Sequence, residues 1–153
     1  TGSLIATSAR YGAIFAGASP RDIEILTQYG EKIGILFQLA DDIIDIASET
    51  AESGKTPGTD LREGVPTMVT VHILESNDPA DATLKATLSA PIHDEDVVAA
   101  TLKTLRTHKA MEISRKLLVQ YADEAKTLVA ELKDCPAKEA LVNLCDAIIT
   151  RTS

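Results

Sequence analysis

The 153-residue chain contains no tryptophan, and aromatic residues make up only 3% of it. A core built without large rings must be aliphatic. No apolar run reaches the length of about 18 residues needed for a membrane-spanning helix. Cysteine is limited to Cys135 and Cys145, which lack the spacing of a metal-binding set. Two isolated thiols fit core packing in a reducing compartment better than a disulfide. No signal-peptide pattern is visible, and the expected location is cytoplasmic. Positive charge is also short, with 15 Lys and Arg against 23 Asp and Glu, a net −8. Nucleic-acid surfaces need clustered basic residues, so that class of partner is excluded. An acidic chain that handles an anion such as diphosphate needs a metal to bridge the two. No alternating strand pattern, internal repeat or low-complexity segment occurs.

What is present reads as helix almost throughout, giving an all-α fold. Apolar residues are 44% and charged residues 25%, ordinary for one globular domain with a core. Leu4 to Ala18 is rich in small residues that permit close helix contact. Ser19-Pro20-Arg21-Asp22 is a helix start: Ser19 suits the cap, Pro20 the first helical position, and Asp22 the place of a capping acid. The helix it opens should reach about Ala47. Residues Ser48 to Pro66 read as a loop, broken by Gly54, Pro57, Gly58, Gly64 and Pro66. Such a long loop without its own structure is often functional. Shorter helices follow: Thr67 to Leu74, one opened by Asp78-Pro79-Ala80-Asp81 that runs to about Ser89, and one opened by Asp94 that reaches Leu105 or beyond. Met111 to Leu132 carries Ile113, Leu117, Leu118, Tyr121, Ala125, Leu128 and Leu132 at helical spacing. Pro136 starts the last helix, with Leu141, Leu144, Cys145 and Ile148 facing inward.

The segment Ile33 to Ile46 is the most informative. Gly34, Gln38, Asp41, Asp42 and Asp45 fall within an arc of about 100° on a helix. Aliphatic residues and Phe37 cover the remainder, whereas an ordinary surface helix carries its polar residues on the wider face. The pattern predicts a mostly buried helix with one acidic seam. Three carboxylates at i, i+1 and i+4 repel one another and are costly to desolvate. A hard divalent cation with oxygen ligands, such as Mg²⁺, relieves both costs. A solvated acidic face is the competing reading, and the residues alone leave the two open.

Other candidate motifs fail. Gly54-Lys55-Thr56 imitates the end of a phosphate-binding loop, but that pattern needs glycine where Glu49 stands, and a preceding strand. Asp41 to Asp45 does not suit an EF-hand, because the sixth position is Ile46 rather than glycine. His72, His93 and His108 are scattered and read as surface or capping residues.

The combination that remains is Phe37-Gln38-Leu39-x-Asp41-Asp42-x-x-Asp45, followed by Gly54-Lys55-x-x-Gly58-x-Asp60-Leu61. It resembles the second aspartate-rich region of the trans-isoprenyl diphosphate synthases, the polyprenyl synthetase family. The resemblance extends back through Thr1-Gly2-Ser3, which is similar to that family's Lys-Thr segment without its Lys, and more weakly forward through the C-terminal helices. It implies a helical bundle of the isoprenoid synthase type around a deep cavity, with two aspartate-rich helices holding Mg²⁺ against an allylic diphosphate. The implied reaction joins isopentenyl diphosphate to an allylic prenyl diphosphate, in a homodimer. By resemblance, Asp41 is the main metal ligand, and Asp42 and Asp45 complete the metal shell directly or through water. Gln38 and Thr1 hold diphosphate oxygens, Lys55 contacts the diphosphate, and Asp60 orders the loop or a metal-bound water.

The departures are as informative. No second DDxxD motif occurs, and the arginines that accompany it in the family are missing too. Positions that are Lys and Pro in many members are Val65 and Val69 here. A chain opening after an expected Lys is what a trypsin-like cut leaves, so residues 1–153 are expected to be the C-terminal part of one isoprenoid-synthase domain, inactive without the N-terminal half. The alternatives are a non-catalytic helical subunit of a two-chain prenyl synthase, or a terpene cyclase of similar fold. The cyclase is disfavoured because its second metal motif generally includes Asn and Ser or Thr.

Overall fold

The computed structural model describes residues 1–48 and 56–152. Among them the elements are α1 (Gly2–Phe15), α2 (Pro20–Ala47), α3 (Thr59–Glu63), α4 (Met68–Leu74), a single 3₁₀ turn (Pro79–Asp81), α5 (Ala82–Leu88), α6 (Glu95–Thr107), α7 (Lys109–Ala130) and α8 (Pro136–Thr150), with no strand. The chain divides into two compact units, Thr1–Ala40 with Leu117–Ser153, and Asp41–Lys116.

In the first unit, α1 stops early because Gly17 takes a left-handed conformation at φ 72°. Helix α2 starts as its sequence predicts. Ser19 Oγ accepts from the Asp22 amide at 3.1 Å and donates to the Asp22 carboxylate at 2.8 Å. Helices α1 and α2 approach so closely that a Cβ on Gly34 would lie 2.2 Å from Gly2 Cα, and one on Gly30 would lie 2.7 Å from Ala6 Cα. Only glycine permits that approach. The core is aliphatic, with Ile25, Ile33, Leu36 and Leu39 of α2, Leu118 and Val129 of α7, and Ile148 of α8 all buried. Tyr29 is a buried aromatic residue, and its hydroxyl donates to the Leu141 carbonyl at 2.7 Å. Four expectations are corrected here. Cys145 is buried, but Cys135 is exposed at the start of α8. Leu144 and Ile35 are exposed rather than inward. Leu132 lies beyond the end of α7.

In the second unit, Ile43 and Ile46 from the end of α2 join Leu61, Val69, Ile73, Val98, Leu102, Leu105 and Met111 in the core. Ile113 is exposed, against expectation. Helix α4 is fixed by a reciprocal cap: Thr67 Oγ1 accepts from the Thr70 amide and Thr70 Oγ1 accepts from the Thr67 amide. Asp94 caps α6 by accepting from the Asp96 and Val97 amides. The segment expected to be a featureless loop contains α3, framed by Gly58 at φ 81° and Gly64 at φ 68°. The two glycines that read as breakers are its caps. His108 ends α6, where its Nδ1 accepts from the Ala110 amide and its Nε2 meets Asp81 at 3.0 Å.

Candidate functional site

The carboxylates cluster at the end of α2 and on α3, within the second unit. Each is partly exposed. Asp45 spends both oxygens on the N-terminus of α3: Oδ1 accepts from the Thr59 amide at 3.1 Å and Oδ2 from the Asp60 amide at 3.2 Å. Asp42 Oδ2 accepts from the Met68 amide at 3.1 Å, at the start of α4. Helix N-termini carry unsatisfied N–H groups and partial positive charge, so both contacts are favourable. They also tie the acidic seam of α2 to the two helices that follow it.

The cluster is electrostatically crowded. The Asp60 carboxyl is pushed up to about 6, first by burial and then by the charges of Asp45, Asp42, Glu63 and Asp41. Arg62, two residues on, forks onto Glu95 at 2.8 and 2.7 Å and donates to the Pro57 carbonyl at 2.7 Å. Its guanidinium is held more firmly protonated, chiefly by the Glu95 hydrogen bonds, with a smaller contribution from Asp45.

The oxygen donors and the excess of negative charge suit a hard divalent cation. Burial and the neighbouring carboxylates together favour the protonated form of Asp60. Among the described residues, no three carboxylate, imidazole or thiol groups converge in an arrangement ready to hold a metal. Asp41, Asp42 and Asp45 supply oxygen donors along α2 without closing a cage among the described residues.

Thr1 and Gln38 are exposed and belong to the first unit, where Gly2 presses against Gly34. Gln38 precedes Asp42 by one helical turn along α2. Lys55 and Gly54 lie outside the described residues. Sequence reasoning missed Arg106, whose Nε donates to the Ile46 carbonyl at 2.9 Å and whose Nη2 donates to the Ser48 carbonyl at 2.7 Å. A helix end with no basic residue in its last turn and no glycine after it was the available signal.

An acidic α2 seam linked to α3 in an all-α fold defines a class, and the chain belongs to it: it is a member of the polyprenyl synthetase family, whose sequence model matches residues 1–105. It is 43% identical over 151 residues to the nonaprenyl diphosphate synthase of Mycobacterium tuberculosis, covering 99% of this chain and 45% of that protein. It is 32% identical over 151 residues to the geranylgeranyl diphosphate synthase of Methanosarcina mazei, again covering 99% and 45%. Its fold matches the Corynebacterium glutamicum geranylgeranyl pyrophosphate synthase complexed with calcium and isoprenyl diphosphate, at TM-score 0.91 and 38% identity, covering 100% of this chain and 48% of that one. The chain thus spans about half the length of the relatives it matches. The helical fold is that of the isoprenyl synthases.

Proposed function

We propose that this chain is the C-terminal part of a Mg²⁺-dependent prenyltransferase that joins isopentenyl diphosphate to an allylic prenyl diphosphate. The observation that carries this reading is the α2 seam of Asp41, Asp42 and Asp45, beside which burial and then carboxylate charge raise Asp60, in a chain similar to named prenyl diphosphate synthases. A cytoplasmic homodimer belongs to the same reading.

Asp41, Asp42 and Asp45 would hold the metal, which supplies positive charge to a departing diphosphate when bound. In the reaction, the allylic carbon–oxygen bond breaks and diphosphate leaves with the electron pair. The double bond of isopentenyl diphosphate forms the new carbon–carbon bond, and a proton is lost. Gln38 and Thr1 would orient diphosphate oxygens by hydrogen bonding, and Lys55 would add a direct positive charge. Asp45 has a second task, holding α3 and with it Asp60 in place.

The test is incorporation of labelled isopentenyl diphosphate into longer prenyl diphosphates by the complete protein, with several allylic primers. Transfer that stops on chelation of divalent metal supports the reading, and transfer in excess chelator contradicts it. A second reading is a non-catalytic subunit of a two-chain synthase. Under that reading, transfer appears only after a separate catalytic chain is added.

A further inference from the structure

We infer that Arg106 is a positioning residue for the acidic wall of α2, holding the helix end on which Asp45 stands. The inference rests on the reading of that wall as a metal and diphosphate site.

A helix C-terminus leaves its last four carbonyls without helical partners and carries the negative end of the macrodipole. Helix α2 aggravates both conditions. Asp41, Asp42 and Asp45 stand near its C-terminal end, and its last turn contains no basic residue. Ser48 follows it in place of the usual left-handed glycine. The donors that close this end come from far along the chain. The Gly58 amide donates to the Asp45 carbonyl at 2.9 Å. Arg106, 60 residues beyond Ile46, donates from Nε to the Ile46 carbonyl at 2.9 Å and from Nη2 to the Ser48 carbonyl at 2.7 Å.

The same turn is also gripped through the Asp45 side chain, which receives the Thr59 and Asp60 amides. Residues 58–60 therefore hold both the backbone and the side chain of Asp45, and Arg106 holds the carbonyls of Ile46 and Ser48 just beyond it. Arg106 rises from α6, which is anchored by the buried Leu102 and Leu105. Its planar fork presents two nitrogens to two carbonyls in one fixed geometry, which the flexible point charge of lysine does not reproduce. Arg106 and Arg62 line one cleft with Glu95, and Arg62 holds the Pro57 carbonyl. The two arginines thus secure the described chain on either side of the segment from residue 49 to residue 55.

Replacing Arg106 sets two effects against each other. Loss of its charge favours a bound cation, whereas loss of its hydrogen bonds frees the helix end and spreads the carboxylates. Its hydrogen bonds run to backbone carbonyls, so loss of geometry is the larger effect.

The experiment uses the complete protein carrying Arg106→Lys, Arg106→Gln, Asp45→Asn, or Asp45→Asn with each Arg106 change. Mn²⁺ binding is read by electron paramagnetic resonance, without turnover. Amide exchange is read at Ala47 and Ser48. Both Arg106 variants should bind Mn²⁺ roughly tenfold more weakly, the factor that accompanies loss of one charge-assisted hydrogen bond. The Ala47 and Ser48 amides should exchange faster by a similar factor, while α8 amides stay unchanged. The Arg106 and Asp45 effects should fall short of additive, because both act on one turn. Tighter Mn²⁺ binding in Arg106→Gln, unchanged binding in both variants, or full additivity with Asp45→Asn would overturn the inference. If Arg106→Gln fails to fold, the Arg106→Lys arm carries the same comparison. Failure of the wild-type protein to bind Mn²⁺ would overturn the metal-site reading itself, an outcome distinct from wild-type and variant proteins binding equally.

Discussion

Asp60 is pushed to about 6 because burial and the charges of Asp45, Asp42, Glu63 and Asp41 all disfavour its ionised form. Its folded-state value lies above the ordinary 3.8. Protonation therefore favours the folded protein: the contribution to stability is fully present below about 3.8 and is lost as pH rises through about 6. Asp60→Asn should raise the metal-free thermal midpoint at pH 7.5 and leave it nearly unchanged at pH 4. Saturating Mg²⁺ should narrow the difference at pH 7.5. A midpoint gap independent of pH would show that the carboxylate crowding does not act on Asp60. At this scale, helical spacing put Asp41, Asp42 and Asp45 on one arc, and the family resemblance alone pointed to Asp60. The sequence did not show that Asp42 and Asp45 also accept the amides at the starts of α4 and α3. Nor did it show Arg62 on Glu95 or Arg106 on Ile46, because those partners lie 33 and 60 residues apart and no local pattern links them.

The crossing of α1 and α2 depends on glycine in a way that substitution can measure. Alanine in mid-helix gains about 1 kcal/mol over glycine. At Gly34 that gain meets a new Cβ 2.2 Å from the Gly2 backbone, where overpacking costs roughly 3 kcal/mol. Gly34→Ala should therefore lose about 2 kcal/mol net, read by denaturant unfolding. Gly12 supplies the control, since a Cβ there meets nothing within 4 Å. Gly12→Ala should be stabilising by about 1 kcal/mol. Equal effects at the two positions would contradict the close crossing. The long helix α2, the caps Ser19, Asp78 and Asp94, and the start of α8 at Pro136 were legible from local chemistry. Helix α3 was not, because five residues are too few for a period to appear and its flanking glycines resemble ordinary loop breakers. The exposed Ile113 and Leu144 show the limit of spacing as a guide: it marks a helical stripe without saying whether anything covers that stripe.

Across the molecule, Leu4, Tyr11 and Phe15 form a stripe on α1 at i, i+7 and i+11, and they are 72%, 57% and 86% exposed. Proteins that stay monomeric rarely expose a large apolar patch. The chain spans about half the length of its relatives. The isolated chain should self-associate or bind a hydrophobic dye. A dye-negative monomer in sedimentation would count against that expectation. The proposed function also predicts no prenyl transfer by residues 1–153 alone, because that reading gives them one acidic wall of the site. Whether that wall serves catalysis is tested most directly by the turnover of Asp41→Ala in the complete protein at saturating Mg²⁺. The account predicts a loss of about 10²–10³ in turnover, the effect of removing one strong electrostatic contact to a departing group. The thermal midpoint without metal should stay unchanged or rise, because a crowded carboxylate has been removed. Near-wild-type turnover would contradict the account and remove Asp41 from the site.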